Sequence, residues 1–157
     1  MGHLLVGIHV AIGELAIIAF IWTFIELAKP TEQKIKRAKI AAILGTTLIF
    51  ISWIVAGYYY VEFYGTNVKP IIKQGPMPWA HSIVMETKEH VFLFLPFLSL
   101  FTLGLIQKYK NELIENREAR VSILLLCCLI VLIGFSMVIM GYIISTGARS
   151  AMETRIL

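Results

Sequence analysis

Four apolar blocks, separated by short charged stretches, constrain this chain more than any other feature. Leu4 to Ile25 is interrupted only by His9 and Glu14, while Ile40 to Val61, Val91 to Ile106 and Val121 to Ala148 contain no Asp, Glu, Lys or Arg. A helix that crosses a bilayer needs about 20 mostly apolar residues at about 1.5 Å rise each. The third block reaches that length only when extended N-terminally past His90. Composition agrees with a bilayer as solvent: 58% of residues are hydrophobic and 15% charged, where a soluble domain carries roughly a quarter charged. The expected fold is therefore all-α, a single integral membrane domain over residues 1–157, with helices over about 4–28, 38–63, 79–108 and 120–147. The Gly- and Pro-rich stretch 64–78 reads as a folded loop capping one end.

The basic residues set the expected orientation. Nine of them (Lys29, Lys34, Lys36, Arg37, Lys39, Lys108, Lys110, Arg117 and Arg120) flank the first and third connections, and five (Lys69, Lys73, Lys88, Arg149 and Arg155) fall on the other side. Lys and Arg accumulate on the cytoplasmic side of membrane proteins. Both termini and the 64–78 loop are then expected outside, in the cell (plasma or inner) membrane, around an up-down-up-down four-helix bundle in which helices 1 and 3 lie diagonally opposite. Residues 1 to 8 contain no Lys or Arg, unlike the basic opening of a secretory signal, so the first helix is expected to be retained. Cys127 and Cys128 sit mid-block as small apolar residues and form no disulfide framework. The basic residues fall in two short membrane-flanking loops and do not form one face, which argues against nucleic acid as a partner.

Ionisable residues at membrane depth are costly and tend to mark functional sites. All four histidines, His3, His9, His81 and His90, map to the outer half. Counting back from Lys29 to His9 gives 20 residues, about 30 Å of helix, and from Lys108 to His90 gives 18, about 27 Å. The two imidazoles are expected nearly level on diagonal helices. A bis-imidazole haem b needs one His from each of two separated helices and a slot for the macrocycle, so His9 and His90 are the expected axial ligands of the haem iron. Gly13 and Ala16, one and two turns below His9, leave room for a flat ring. Lys88, Lys73 and Arg149 are the expected partners for anionic propionates.

Two other readings compete. His81, Glu86 and Glu14 join His9 and His90 as candidates for a His/Glu metal site, although the di-metal recipe wants carboxylates on every helix and helix 4 has none. A cofactor-free structural or assembly subunit would instead use the outer histidines for partner contacts. The aromatics Trp53, Tyr58, Tyr59, Tyr60, Tyr64 and Trp79 read as an interfacial belt before they read as a quinone pocket. Pro96 should kink helix 3.

Arg37, followed by an apolar run through Phe50-Ile51-Ser52-Trp53 to Tyr58-Tyr59-Tyr60, then His90-Val91-Phe92-Leu93-Phe94-Leu95-Pro96, resembles the pattern of a family of small four-helix membrane proteins linked to cytochrome oxidase assembly. The likeness covers about residues 37–105. Tyr60 stands where that family carries a His near the end of helix 2, and helix 4 lacks the family's opening His. In architecture the chain also resembles cytochrome b type membrane subunits, which implies axial histidines on neighbouring helices. The expected function is a haem b electron-transfer protein or subunit of a respiratory redox complex, with no catalytic residues and no reaction of its own. Its expected partners are the lipid bilayer, a redox carrier or larger membrane complex on the outer side, and a quinone.

Overall fold

The computed structural model describes residues 2–154, and it is all-helical. Four helices are long and apolar enough to cross a membrane: α1, Gly2–Ala28; α2, Glu32–Gln74; α3, Ala80–Tyr109; and α4, Arg117–Glu153. Their outward faces carry large apolar side chains in the open, with Ile54 64%, Phe97 65% and Leu132 67% exposed. Exposed apolar surface on that scale has a cost in water and none among lipid tails. Arg155, counted on the outer side from sequence, lies outside the described residues.

The α1–α2 turn follows from local chemistry. Pro30 cannot continue a helix, and the Thr31 hydroxyl accepts from the Lys34 amide at 3.3 Å to start the next one. At the other turn the Asn116 side chain accepts from the Ala119 amide at 3.0 Å. Arg120 Nη1 donates to the Leu113 and Ile114 carbonyls at 2.8 and 3.0 Å, satisfying oxygens that helix ends leave unpaired. We call this the hairpin end of the bundle. The opposite, cap end holds the α2–α3 turn at Gly75–Pro78, where Gly75 is pressed against Ala151 of α4.

The principal packing pairs are α1–α2, α1–α4, α2–α3 and α3–α4. Small residues bring α1 and α2 close: a Cβ added to Gly45 would lie 2.8 Å from the Phe20 ring, and Ala16, Ala19, Ala38, Ala41 and Ala42 are buried nearby. This is how membrane helices gain packing energy without a hydrophobic drive between them. Beside that seam Trp22 Nε1 donates to Glu26 at 3.1 Å, and Arg37 lies 3.9 Å from the same carboxylate.

Of the stretch 64–78 expected as a loop, only 75–78 is a turn, and 64–74 is helical. Helix α2 runs on through a π-helical segment, Tyr60–Val68, and a last α-helical piece, Lys69–Gln74. Gly65 is absorbed into the widened turn. Pro70 occupies the first turn of the final piece, where a missing N–H costs nothing. Helix α3 likewise opens with a π-helical segment, Ala80–Met85. It is interrupted at Leu93, three residues before Pro96, whose ring and missing amide disturb the preceding turn.

Candidate functional site

A cavity of about 1320 Å³ occupies the cap-end half of the bundle and touches all four helices. Small residues on several helices leave room within it, Gly13 and Ala16 from α1, Gly57 from α2 and Gly141 from α4, beside large ones such as Trp53, Tyr60 and Phe92. A Cβ built on Gly57 would meet nothing within 4 Å. His3, His9, Glu14, Lys88, Glu89, His90 and Arg149 also line the cavity. Lys73 does not: it is exposed on the last piece of α2, so among the expected propionate partners only Lys88 and Arg149 reach the space.

His9 is the most constrained of the histidines. Its Nδ1 lies 3.1 Å from the Ser52 carbonyl and 2.8 Å from the Ser52 hydroxyl. The same hydroxyl lies 3.2 Å from the His9 carbonyl. A serine has one proton to give. If it goes to the His9 carbonyl, Nδ1 must carry the hydrogen shared by the two Ser52 oxygens, and only this assignment avoids facing lone pairs at the Ser52 carbonyl. Nε2 is then an unprotonated acceptor. Among the described residues it has no hydrogen-bond partner, and His9 lines the cavity. The ring is held edge-on by Phe92 of α3, centroids 5.8 Å apart at 87°.

Helix α3 presents a different face to His9 from the one the sequence led us to expect. Phe92 packs on His9, and the Lys88 ammonium lies 3.2 Å from where a Cβ would stand on Gly141 of α4. His90 is two residues from each, about 200° around the helix. It is exposed, with Nδ1 on the Glu86 carbonyl at 2.6 Å. His90 therefore lines the cavity from the side, in a window between α2 and α3 with Gly57, Val61 and Leu93, and does not face His9. Counting residues fixes depth along a helix; it leaves the azimuth open. Here the azimuth is set by the buried face His81, Leu95, Ser99, Thr102 and Ile106.

The expected His/Glu metal site is not assembled. Glu14 and Glu86 are exposed, His81 is turned to a tyrosine, and among the described residues no three His, Cys, Asp or Glu side chains converge as metal ligands.

Nearer the cap, a second polar group forms where the two π-helical segments meet. The Tyr64 hydroxyl lies 3.0 Å from His81 Nδ1, with both residues buried, 2% and 1% exposed. Tyr60 stacks on Tyr64, centroids 5.3 Å apart at 21°, and Glu89 lies beside Tyr60. Among the described residues, His81 Nε2 and Glu89 Oε1 are buried without a hydrogen-bond partner. Sequence reading had assigned these tyrosines to an interfacial belt and passed over Ser52 and Glu89. The available signals were a serine inside an uncharged block and a carboxylate adjacent to His90. No family model, curated protein or solved structure matches the chain.

Proposed function

We propose that this chain is a multi-pass protein of the cell (plasma or inner) membrane. In this reading it is an up-down-up-down bundle with both ends outside, and its cavity binds haem b as an electron-transfer protein or subunit of a respiratory redox complex. The orientation is supported by the nine basic residues at the hairpin end. The observation that carries the haem reading is His9: an imidazole anchored through Nδ1 to a backbone carbonyl, its other nitrogen unprotonated, on the wall of a large cavity. Metal-ligating histidines are oriented in that way, and the anchor fixes the tautomer. The cavity exceeds the roughly 300–1,000 Å³ of ordinary small-molecule pockets, enough for a macrocycle. Lys88 and Arg149 supply cations for its carboxylates. His90, which lines the cavity from its side with Nδ1 on the Glu86 carbonyl, is the second axial candidate. When bound, haem supplies a reversible one-electron iron couple. The protein holds it, excludes water from it and neutralises it.

A second reading has its own observation. His90 rides an outward-facing position, where it is available to another subunit, as a cofactor-free structural or assembly protein would require. An absorption spectrum of detergent-purified protein, oxidised and then dithionite-reduced, with a pyridine haemochrome count, separates the two. We expect about one low-spin haem per chain, lost in His9→Ala and converted to high spin in His90→Ala. A folded wild-type protein with no Soret band would sink the haem reading in favour of the assembly subunit.

A further inference from the structure

Lys88 brings an ammonium to the cavity wall from α3. Its Nζ lies 3.2 Å from where a Cβ would stand on Gly141 of α4, so any side chain there would crowd it. The only ion pair among the described residues joins Arg37 to Glu26 at the hairpin end, and the Lys88 charge therefore has no counter-ion within the chain. A cation left unpaired among membrane helices is costly, and a ligand that answers it recovers that cost. Two carboxylates line the same cavity, and neither is paired with Lys88. Glu89 is one residue further on, about 100° around α3, where Tyr60 hydrogen-bonds it and one of its oxygens is buried. Glu14 is exposed on α1.

Helix α4 extends the set of donors. Ser145 and Arg149 stand four and eight residues beyond Gly141 on one face, about 6 and 12 Å along the helix toward the cap, and both line the cavity. The Arg149 guanidinium donates to the Thr146 hydroxyl at 3.4 Å, and its remaining N–H groups are available. The opposite end of the cavity is apolar, with buried Ile17, Ile49, Leu95, Ile130 and Met137 as its floor. Val138 and Tyr142, 42% and 68% exposed, line the cavity from the same stretch of α4. In a bilayer such positions meet lipid tails, so the donors border directly on the membrane interior. An anionic head joined to a hydrocarbon chain matches both parts of this wall.

We infer that the haem-free chain binds a long-chain fatty acid in this cavity, its carboxylate on Lys88 with Ser145 and Arg149 nearby and its chain along the apolar floor. One unpaired ammonium matches one negative charge, and a single chain slips between helices that a two-chain lipid would have to part. The inference goes beyond the haem reading and does not need it. Lys88 can serve a fatty acid or a haem propionate but not both, so the two occupants exclude each other.

The test titrates the full chain in maltoside detergent, stripped of haem if a Soret band is present, with the fluorescent fatty acid cis-parinaric acid. Energy transfer from tryptophan is followed, Trp53 being on the cavity wall. Saturable transfer is expected, displaced by oleate and weakened about tenfold in Lys88→Met, the loss of one charge-assisted hydrogen bond. Arg149→Gln should weaken it about threefold, as suits an exposed cation, and Lys108→Met at the hairpin end should leave it unchanged. Oleyl alcohol, the same chain without the charge, should displace the probe about tenfold less well than oleate, and acetate, the head without the chain, should not displace it. If a circular dichroism melt shows that Lys88→Met has lost its fold, Arg149→Gln carries the comparison. Non-saturable transfer, wild-type affinity in the folded variants, displacement by oleyl alcohol or acetate as strong as by oleate, or stronger displacement by dioleoyl phosphatidic acid would each overturn the assignment. Haem loading is read separately by the Soret band, so either reading can fail while the other stands.

Discussion

The two halves of this bundle are built by opposite rules. At the hairpin end, α1 and α2 close on alanines and Gly45 until a single added Cβ would meet the Phe20 ring at 2.8 Å. At the cap end the same two helices hold Gly13 and Gly57, where an added Cβ has ordinary contact or none. Glycine serves close packing in one half and open space in the other. One half holds the helices together, and the other can then keep a cavity without losing the fold.

That contrast can be broken most severely at Gly45. Gly45→Val forces two methyl groups into the Phe20 contact and is expected to cost about 1–3 kcal/mol, seen as a lower thermal midpoint in detergent; a neutral result would mean that the seam is not what holds the bundle. Next in size is Ser52→Ala, which leaves the backbone carbonyl in place but removes the hydroxyl on His9. Loss of a group that orients a metal-ligating histidine costs roughly 10–100-fold in affinity, so haem titration of the stripped variant should weaken by that order, while its melting changes less than that of Gly45→Val. Gly57→Ala, in open space, should stay within about 0.5 kcal/mol of wild type; its small helix-propensity gain is opposed by whatever ring the cavity holds, and a shift in the Soret maximum would show it. Smallest is Arg37→Met. The guanidinium is 52% exposed and 3.9 Å from Glu26, the outer limit of an ion pair, so its contribution falls at the low end of the roughly 0–1 kcal/mol of surface pairs. Melts in low and high salt should nearly coincide.

The hairpin-end half was legible in the sequence so far as it depends on uncharged blocks of spanning length; the caps at Thr31 and Asn116, which start the helices at Glu32 and Arg117 where the blocks alone gave about 38 and 120, went unread. The cap-end half was legible in its parts and not in its pairing. Pro70 and Gly65 look like breakers, yet a proline in a first turn and a glycine in a widened one are compatible with helix. The Tyr64–His81 and His9–Ser52 contacts join residues 17 and 43 positions apart, and no periodicity reports them. His90 shows the same gap between depth and direction. Its level could be counted from Lys108, but the face it occupies depends on the π-helical start of α3 and the interruption at Leu93.

The two π-helical segments couple the cap ends of α2 and α3 to one another. A π turn is an α-helix that has accommodated one residue more than its regular winding needs. Deleting one residue between Tyr60 and Phe63 would return that turn to regular winding and remove the widening that places Tyr64 on His81. A deletion in Ala80–Met85 would act on His81 in the same way. Chain length in this half is therefore a shared quantity: descendants of this sequence can lengthen or shorten their connecting turns freely, but a gain or loss of a residue in one widened segment must be answered in the other.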